Sequence, residues 1–62
     1  MSDFTIDNAR KIVKDEYSDC EIVAEGITGS NSYFFDMRPK DGKNFTLTID
    51  ARDRFPLVVP VD

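Results

Sequence analysis

Apolar residues recur at helical spacing in the first third of the chain. Four of them would lie on one stripe of a helix: Ile6, Ala9, Val13 and Tyr17. Thr5 precedes this stripe and is a favourable N-cap, and Asp7 in the first turn interacts well with the helix dipole. The pattern therefore predicts a helix over residues 5–17.

Beyond the helix the pattern changes to apolar–polar alternation, which is typical of strands. Four segments follow it: residues 20–26, 32–38, 44–50 and 55–61. In the first segment the even positions are the more apolar ones, and we expect them to face the core: Cys20, Ile22 and Ala24. We predict one domain over residues 1–62, of class α+β, with the N-terminal helix packed on one face of a four-stranded antiparallel meander.

The turn between the second and third segments sets their register. In "PKDGK" we predict that Gly42 adopts a positive φ after a type I turn, which gives a three-residue loop. Odd residues then face odd residues, and every inward pair is apolar: Met37 with Phe45, Phe35 with Leu47, and Tyr33 with Ile49.

The other two registers are predicted by the same reasoning. A three-residue loop over residues 51–53 would pair the third and fourth strands as Ile49 with Phe55, Leu47 with Leu57, and Phe45 with Val59. Around a loop over residues 27–30, the first and second strands would pair Ile22 with Phe35 and Ala24 with Tyr33.

The aromatic stretch "SYFFDM" then has two faces. Tyr33 and Phe35 point inward, and Phe34 points away from the helix. Its predicted outer row is Val23, Phe34, Thr48 and Pro56, and the next row is Glu21, Asp36, Thr46 and Val58. Exposed aromatics often anchor interfaces, although single exposed apolar residues are also common. We take as the candidate interaction surface Phe34, Val23, Val58, Asp36 and Glu21.

The last segment, "FPLVVPV", contains two prolines four residues apart. Neither Pro56 nor Pro60 carries an N–H, and in an unbroken strand both nitrogens would point to the same side. We therefore predict that this strand lies at the sheet edge with its prolines facing outward, and that this edge resists pairing with a second chain.

Composition removes several function classes. The 62 residues include no histidine and one cysteine, so Ser-His and Cys-His nucleophiles and His- or Cys-rich metal sites are not expected, and neither is a cofactor. The net charge of −4 argues against free nucleic acid as a partner. With no membrane span, no recognisable secretory signal and no internal disulfide, a cytoplasmic location is expected.

The chain resembles PepSY-type modules and some small bacterial immunity proteins. The resemblance rests on "FTIDNARKIVKDEY" at the start, on "YFFDMRPKDGKNFTLTID" in the middle, and on the late "PLVVPVD" strand of the immunity proteins. The two prolines of the fourth strand depart from the PepSY pattern. The resemblance implies a non-catalytic binding or inhibitory module, and it transfers no site residue.

These observations predict a small acidic, cytoplasmic, non-catalytic binding or inhibitory protein of bacterial or phage type that acts by protein–protein contact. Two alternatives remain open. One is a homodimeric structural protein that uses the outer sheet face. The other is a small-ligand binder that uses the cleft between the helix and the sheet edge.

Overall fold

The computed structural model describes residues 4–29 and 31–59. In the order of the chain these form α1 (Ile6–Glu16), β1 (Cys20–Thr28), β2 (Ser32–Pro39), β3 (Phe45–Asp50) and β4 (Pro56–Val58). The strands make one antiparallel sheet in the order β1-β2-β3-β4, with α1 on one face. The predicted α+β class is confirmed.

Helix α1 begins where the sequence predicts. Thr5 is the N-cap, and its hydroxyl accepts a hydrogen bond from the backbone N–H of Asn8. The Asn8 side chain in turn accepts from the Thr5 N–H at 3.0 Å, which completes a capping box. The helix therefore has two of its unpaired terminal N–H groups satisfied locally.

The hydrophobic core lies between α1 and one sheet face, which we call the inner face. Ala9 and Val13 of the helix are fully buried. They pack on four fully buried sheet residues: Phe35, Met37, Leu47 and Ile49. The predicted helix stripe and the predicted inward parity of β2 and β3 are both confirmed.

The register between β2 and β3 is the predicted one. Met37 pairs with Phe45, Phe35 with Leu47, and Tyr33 with Ile49. Gly42 has a φ of +113°, a value that L-residues rarely adopt, so the positive φ predicted at this glycine is confirmed.

The predicted register between β3 and β4 is wrong by one residue. Ile49 pairs with Pro56, Thr48 with Leu57, and Leu47 with Val58. The cause lies in the connecting turn. Arg54 adopts a φ of +52°, and its N–H donates to the carbonyl of Asp50 at 2.7 Å, so the loop holds one residue more than predicted.

This shift exchanges the two faces of β4. Pro56 is buried on the inner face opposite Ile49, whereas Leu57 is on the face away from the helix. The predicted inward orientation of Leu57 and the predicted outer positions of Pro56 and Val58 are therefore wrong. Pro60 and Val61, which the predicted fourth strand also includes, lie outside the described residues.

The predicted register between β1 and β2 is also wrong. A bulge between Ile22 and Ala24 inserts one residue, and the pairs become Ile22 with Met37, Ala24 with Asp36 and Glu25 with Phe35. Ile22 packs against the core as predicted, but Ala24 is exposed and lies on the outer face. Downstream of the bulge it is Glu25 that shares the inner face with the helix.

Two hydrogen bonds outside the strand ladders establish which way the backbone groups point. The Ala51 N–H donates to the Asn31 carbonyl, and the Val59 N–H donates to the Thr46 carbonyl, both at 2.8 Å. Backbone groups of successive strand residues alternate in direction, so the nitrogen of Pro56 points away from β3. The predicted edge position of β4 is confirmed, as is the prediction that the backbone nitrogen of Pro56 faces away from the sheet.

Candidate interaction surface on the outer sheet face

The sheet face opposite α1, which we call the outer face, has its apolar centre in one cross-strand row. This row consists of Gly26, Phe34, Thr48 and Leu57. The neighbouring row holds Ala24, Asp36 and Thr46. Because α1 covers only the inner face, the side chains of these rows define the other side of a two-layer domain.

Phe34 faces outward as predicted, but it is not a freely exposed ring. It lies across the backbone of Gly26 on the neighbouring strand, where an added Cβ would come within 2.5 Å of ring carbon Cε1. The ring is half-buried by this contact. Gly26 therefore provides the space in which Phe34 lies flat on the sheet.

Leu57 supplies the exposed apolar surface of this row. Its side chain is 55% exposed and stands opposite Thr48, which itself pairs with Phe34. Phe55, just before β4, is 59% exposed. Sequence reasoning missed Leu57 as a surface residue because its face depends on the turn at Arg54, where no glycine marks the positive φ.

The other predicted surface residues are in different places. Asp36 is on the outer face, and its carboxylate accepts a hydrogen bond from the Thr46 hydroxyl at 2.9 Å. Glu21 pairs with Arg38, one row further along than predicted, and their side chains form a salt bridge of 2.8 Å. Val23 is exposed at the bulge of β1, and Val58 is on the inner side of the sheet edge.

The outer face carries more acidic than basic groups. In the strand registers Glu21, Asp36 and Asp50 share it with one base, Arg38. The hydrogen bond to Glu21 raises the pKa of Arg38. Asp36 and Asp50 thus flank the Phe34 row with negative charge.

A second feature is a shallow groove between α1 and β1. Its lining residues are Arg10, Lys14, Cys20, Glu21, Ile22 and Glu25. The Arg10 guanidinium donates to both carboxylate oxygens of Glu25, with Nε at 3.0 Å from Oε1, and also to Asp7 at 2.7 Å. The hydrogen bonds from Arg10 lower the pKa of Glu25.

The sequence pattern did not reveal this cluster. Asp7 and Lys11 have the i,i+4 spacing of an attractive pair, but Asp7 bonds Arg10 instead. The partner of Arg10 on the sheet, Glu25, is brought onto the inner face only by the bulge. Since Arg10 and Glu25 satisfy one another, the groove offers a ligand less free charge than its composition suggests.

The described residues hold neither a metal-binding cluster nor a membrane-spanning helix. Within residues 4–29 and 31–59, no cluster of three or more acidic, cysteine or histidine side chains could hold a metal ion. The one helix found over the same residues is too short and too polar to cross a membrane.

The chain was also compared with known proteins. No protein-family model, no curated protein and no solved structure matches it. The resemblance to PepSY-type modules and to small immunity proteins therefore stays a prediction, and the function has to be argued from the outer face itself.

Proposed function

We propose that this chain is a small non-catalytic binding or inhibitory protein that contacts a protein partner through its outer sheet face. The observation that supports the proposal most directly is the exposed side chain of Leu57, which continues the Phe34 row on the face without a helix. Apolar side chains at the centre of a polar surface are typical interface anchors.

The charges around this row indicate the chemistry of the partner. Asp36 and Asp50 flank the row, and the whole chain has a net charge of −4. A complementary partner would present an apolar protrusion surrounded by Lys or Arg side chains. Charge complementarity of this kind speeds association and disfavours a second copy of the same acidic face.

Neighbouring residues of β4 provide a matched test. Leu57 and Val58 are both 55% exposed, but they point to opposite faces of the sheet. We expect that wild-type protein captures a partner from lysate of the source organism, and that Leu57→Ser weakens binding of the purified partner by about tenfold or more. Val58→Ser should leave the affinity close to that of wild type.

The contrary outcomes are specific. Equal losses with Leu57→Ser and Val58→Ser would show that the outer face is not the contact. Capture of nothing but the bait's own chain, lost with Leu57→Ser, would instead support the homodimeric alternative. Phe34→Ser is a weaker test than Leu57→Ser, since removing the ring also uncovers Gly26 and is expected to destabilise the fold.

The proposal includes a cytoplasmic location and a bacterial or phage origin. The single cysteine, which cannot form a disulfide within the chain, supports the location. The origin is supported by the sequence resemblance alone. Fractionation of cells that express a tagged chain would test the location, and recovery of the chain outside the cytoplasm would contradict it.

A further inference from the structure

The two edges of the sheet differ in their capacity to pair with another strand. On β4, Pro56 and Val58 point their backbone groups outward, and Pro56 has no N–H. On β1, backbone direction also alternates from residue to residue, and the N–H and C=O groups of Ala24, Gly26 and Thr28 point toward β2. The outward N–H and C=O groups of the regular part of β1 therefore belong to Glu25 and Ile27.

Exposure of side chains distinguishes the edges further. Ile27 is 69% exposed, the largest exposed fraction among the large apolar residues that the structure describes. Arg10 and Lys14 of α1 border the groove along β1 as far as Glu25, whereas Ile27 lies beyond that groove. The second half of β1 thus combines open backbone groups with an uncovered aliphatic side chain.

We propose that β1 pairs with β1 of a second copy of this chain, antiparallel about a two-fold axis at Ile27. The two sheets would join into one continuous eight-stranded sheet, with both helices on the same side. This contact uses an edge that is separate from the outer face, so it neither requires nor excludes the partner proposed above.

The match between facing side chains selects this register among the regular ones. Two β1 strands can hydrogen-bond only through residues whose backbone groups point away from β2. Beyond the bulge these residues are Glu25 and Ile27, so three pairings are possible: Glu25 with Glu25, Glu25 with Ile27, or Ile27 with Ile27. The first sets two Glu25–Arg10 ion pairs opposite one another, and the second sets this ion pair opposite an aliphatic chain. The third pairs the two exposed isoleucines, apolar on apolar, and uses only the part of β1 that follows the bulge.

The bulge next to Val23 is compatible with this arrangement. It interrupts the regular strand between Ile22 and Ala24, so a long self-pairing along the whole of β1 is prevented. The register centred on Ile27 uses only the chain beyond the bulge. We therefore expect a dimer that dissociates on dilution.

Sedimentation equilibrium over a concentration series tests the proposal. Wild type should shift from the 7.1 kDa of one chain toward twice that mass as concentration rises. Ile27→Pro removes only an outward N–H, and in the dimer it removes two, so the dissociation constant should rise by about tenfold or more. Val58→Pro makes the same change at the other edge and should leave the dissociation constant unchanged.

A cross-link checks the register without proline. Facing residues of a hydrogen-bonded antiparallel pair have Cα atoms about 5.5 Å apart, which suits a disulfide. In a Cys20→Ala background, Ile27→Cys should therefore oxidise to a covalent dimer, whereas Val58→Cys should do so far less. Circular dichroism of each variant establishes that it is folded.

Three results would overturn the proposal. One is a wild-type chain that stays monomeric at every concentration. Another is a dimer that Ile27→Pro leaves intact while Leu57→Ser abolishes it, since the outer face would then be the contact. The third is equal cross-linking at positions 27 and 58.

Discussion

At the scale of single residues, two glycines of positive φ face different demands. Gly42 has a φ of +113°, outside the left-handed helical region, whereas Gly29 has a φ of +70°, within reach of that region. A Cβ at position 42 would meet only Pro39, at an ordinary 3.8 Å, and one at position 29 would meet no atom within 4 Å. The free-energy cost of adding a Cβ at either position therefore comes from the backbone conformation and not from steric overlap.

We predict that Gly42→Ala lowers the free energy of unfolding by about 1–3 kcal/mol. Gly29→Ala, at the better tolerated φ, should lower it less. Urea denaturation of both variants measures the difference. Equal losses at the two positions would contradict the assigned turn geometry.

The ion pair of Arg10 and Glu25 predicts a pH dependence. Because Arg10 lowers the pKa of Glu25, the carboxylate stabilises the folded state at pH values above the unfolded pKa of about 4.3. That contribution is lost as the pH falls through the lower pKa of the folded state. The pair is partly exposed, so the effect should be small.

A double-mutant cycle with Arg10→Gln and Glu25→Gln isolates this contribution. We expect a favourable coupling free energy at about pH 7 that is lost as the pH falls below the lowered pKa of Glu25. The cycle cancels the titration of every other carboxylate, because these remain in all four proteins. Coupling that persists unchanged in acid would show that the two side chains interact by packing and not by charge.

At the scale of elements, the register prediction succeeded or failed with the turn that fixes each register. Between β2 and β3, Gly42 and the alternation of apolar residues point to the same loop length. Between β3 and β4, the extra residue is accommodated by a positive φ at Arg54, a residue type that gives no sign of it. The bulge in β1 likewise lacks a sequence signal.

The same cause limited prediction of the candidate site. Phe34 could be placed on the outer face because its parity relative to Tyr33 and Phe35 depends on β2 alone. Leu57 could not, since its orientation depends on the turn at Arg54. A one-residue slip moves every side chain of a strand to the opposite face. One unrecognised residue in the turn was therefore enough to misplace Leu57.

The two leucines of β3 and β4 test these registers. Leu47 is fully buried and Leu57 is 55% exposed. We expect that Leu47→Ala lowers the free energy of unfolding by about 2–5 kcal/mol, as should Phe35→Ala, because each opens a cavity in the core. Leu57→Ala should cost well under about 1 kcal/mol. If Leu57→Ala proved as costly as Leu47→Ala, Leu57 would face the core and the β4 register would be the one that the sequence suggested.

At the scale of the whole molecule, the domain consists of one helix on one sheet, and only one sheet face is covered. A chain of this size buries only a modest fraction of its surface when it folds. The edge strands therefore contribute both to the stability of the domain and to its contacts with other molecules. The alternation of backbone direction across the four strands makes a prediction for the entire sheet, independent of any side chain.

Amide hydrogen exchange measures that alternation. In the monomer the N–H groups of Phe35 and Leu47 point into the ladder between the central strands, and we expect them to exchange only through global unfolding. The N–H groups of Ile27 and Val58 point out of opposite edges and should exchange rapidly.

Concentration then separates the two edges. If β1 pairs with a second copy, the amides of Ile27 and Glu25 should become protected as the protein concentration rises, while Val58 continues to exchange rapidly. We expect no protection at Val58 because Pro56 gives β4 no outward N–H, and because this three-residue strand is too short to pair with a partner strand. Protection that grew at Val58 and not at Ile27 would place the self-association on β4, and it would contradict both the pairing of β1 and the predicted resistance of β4 to pairing.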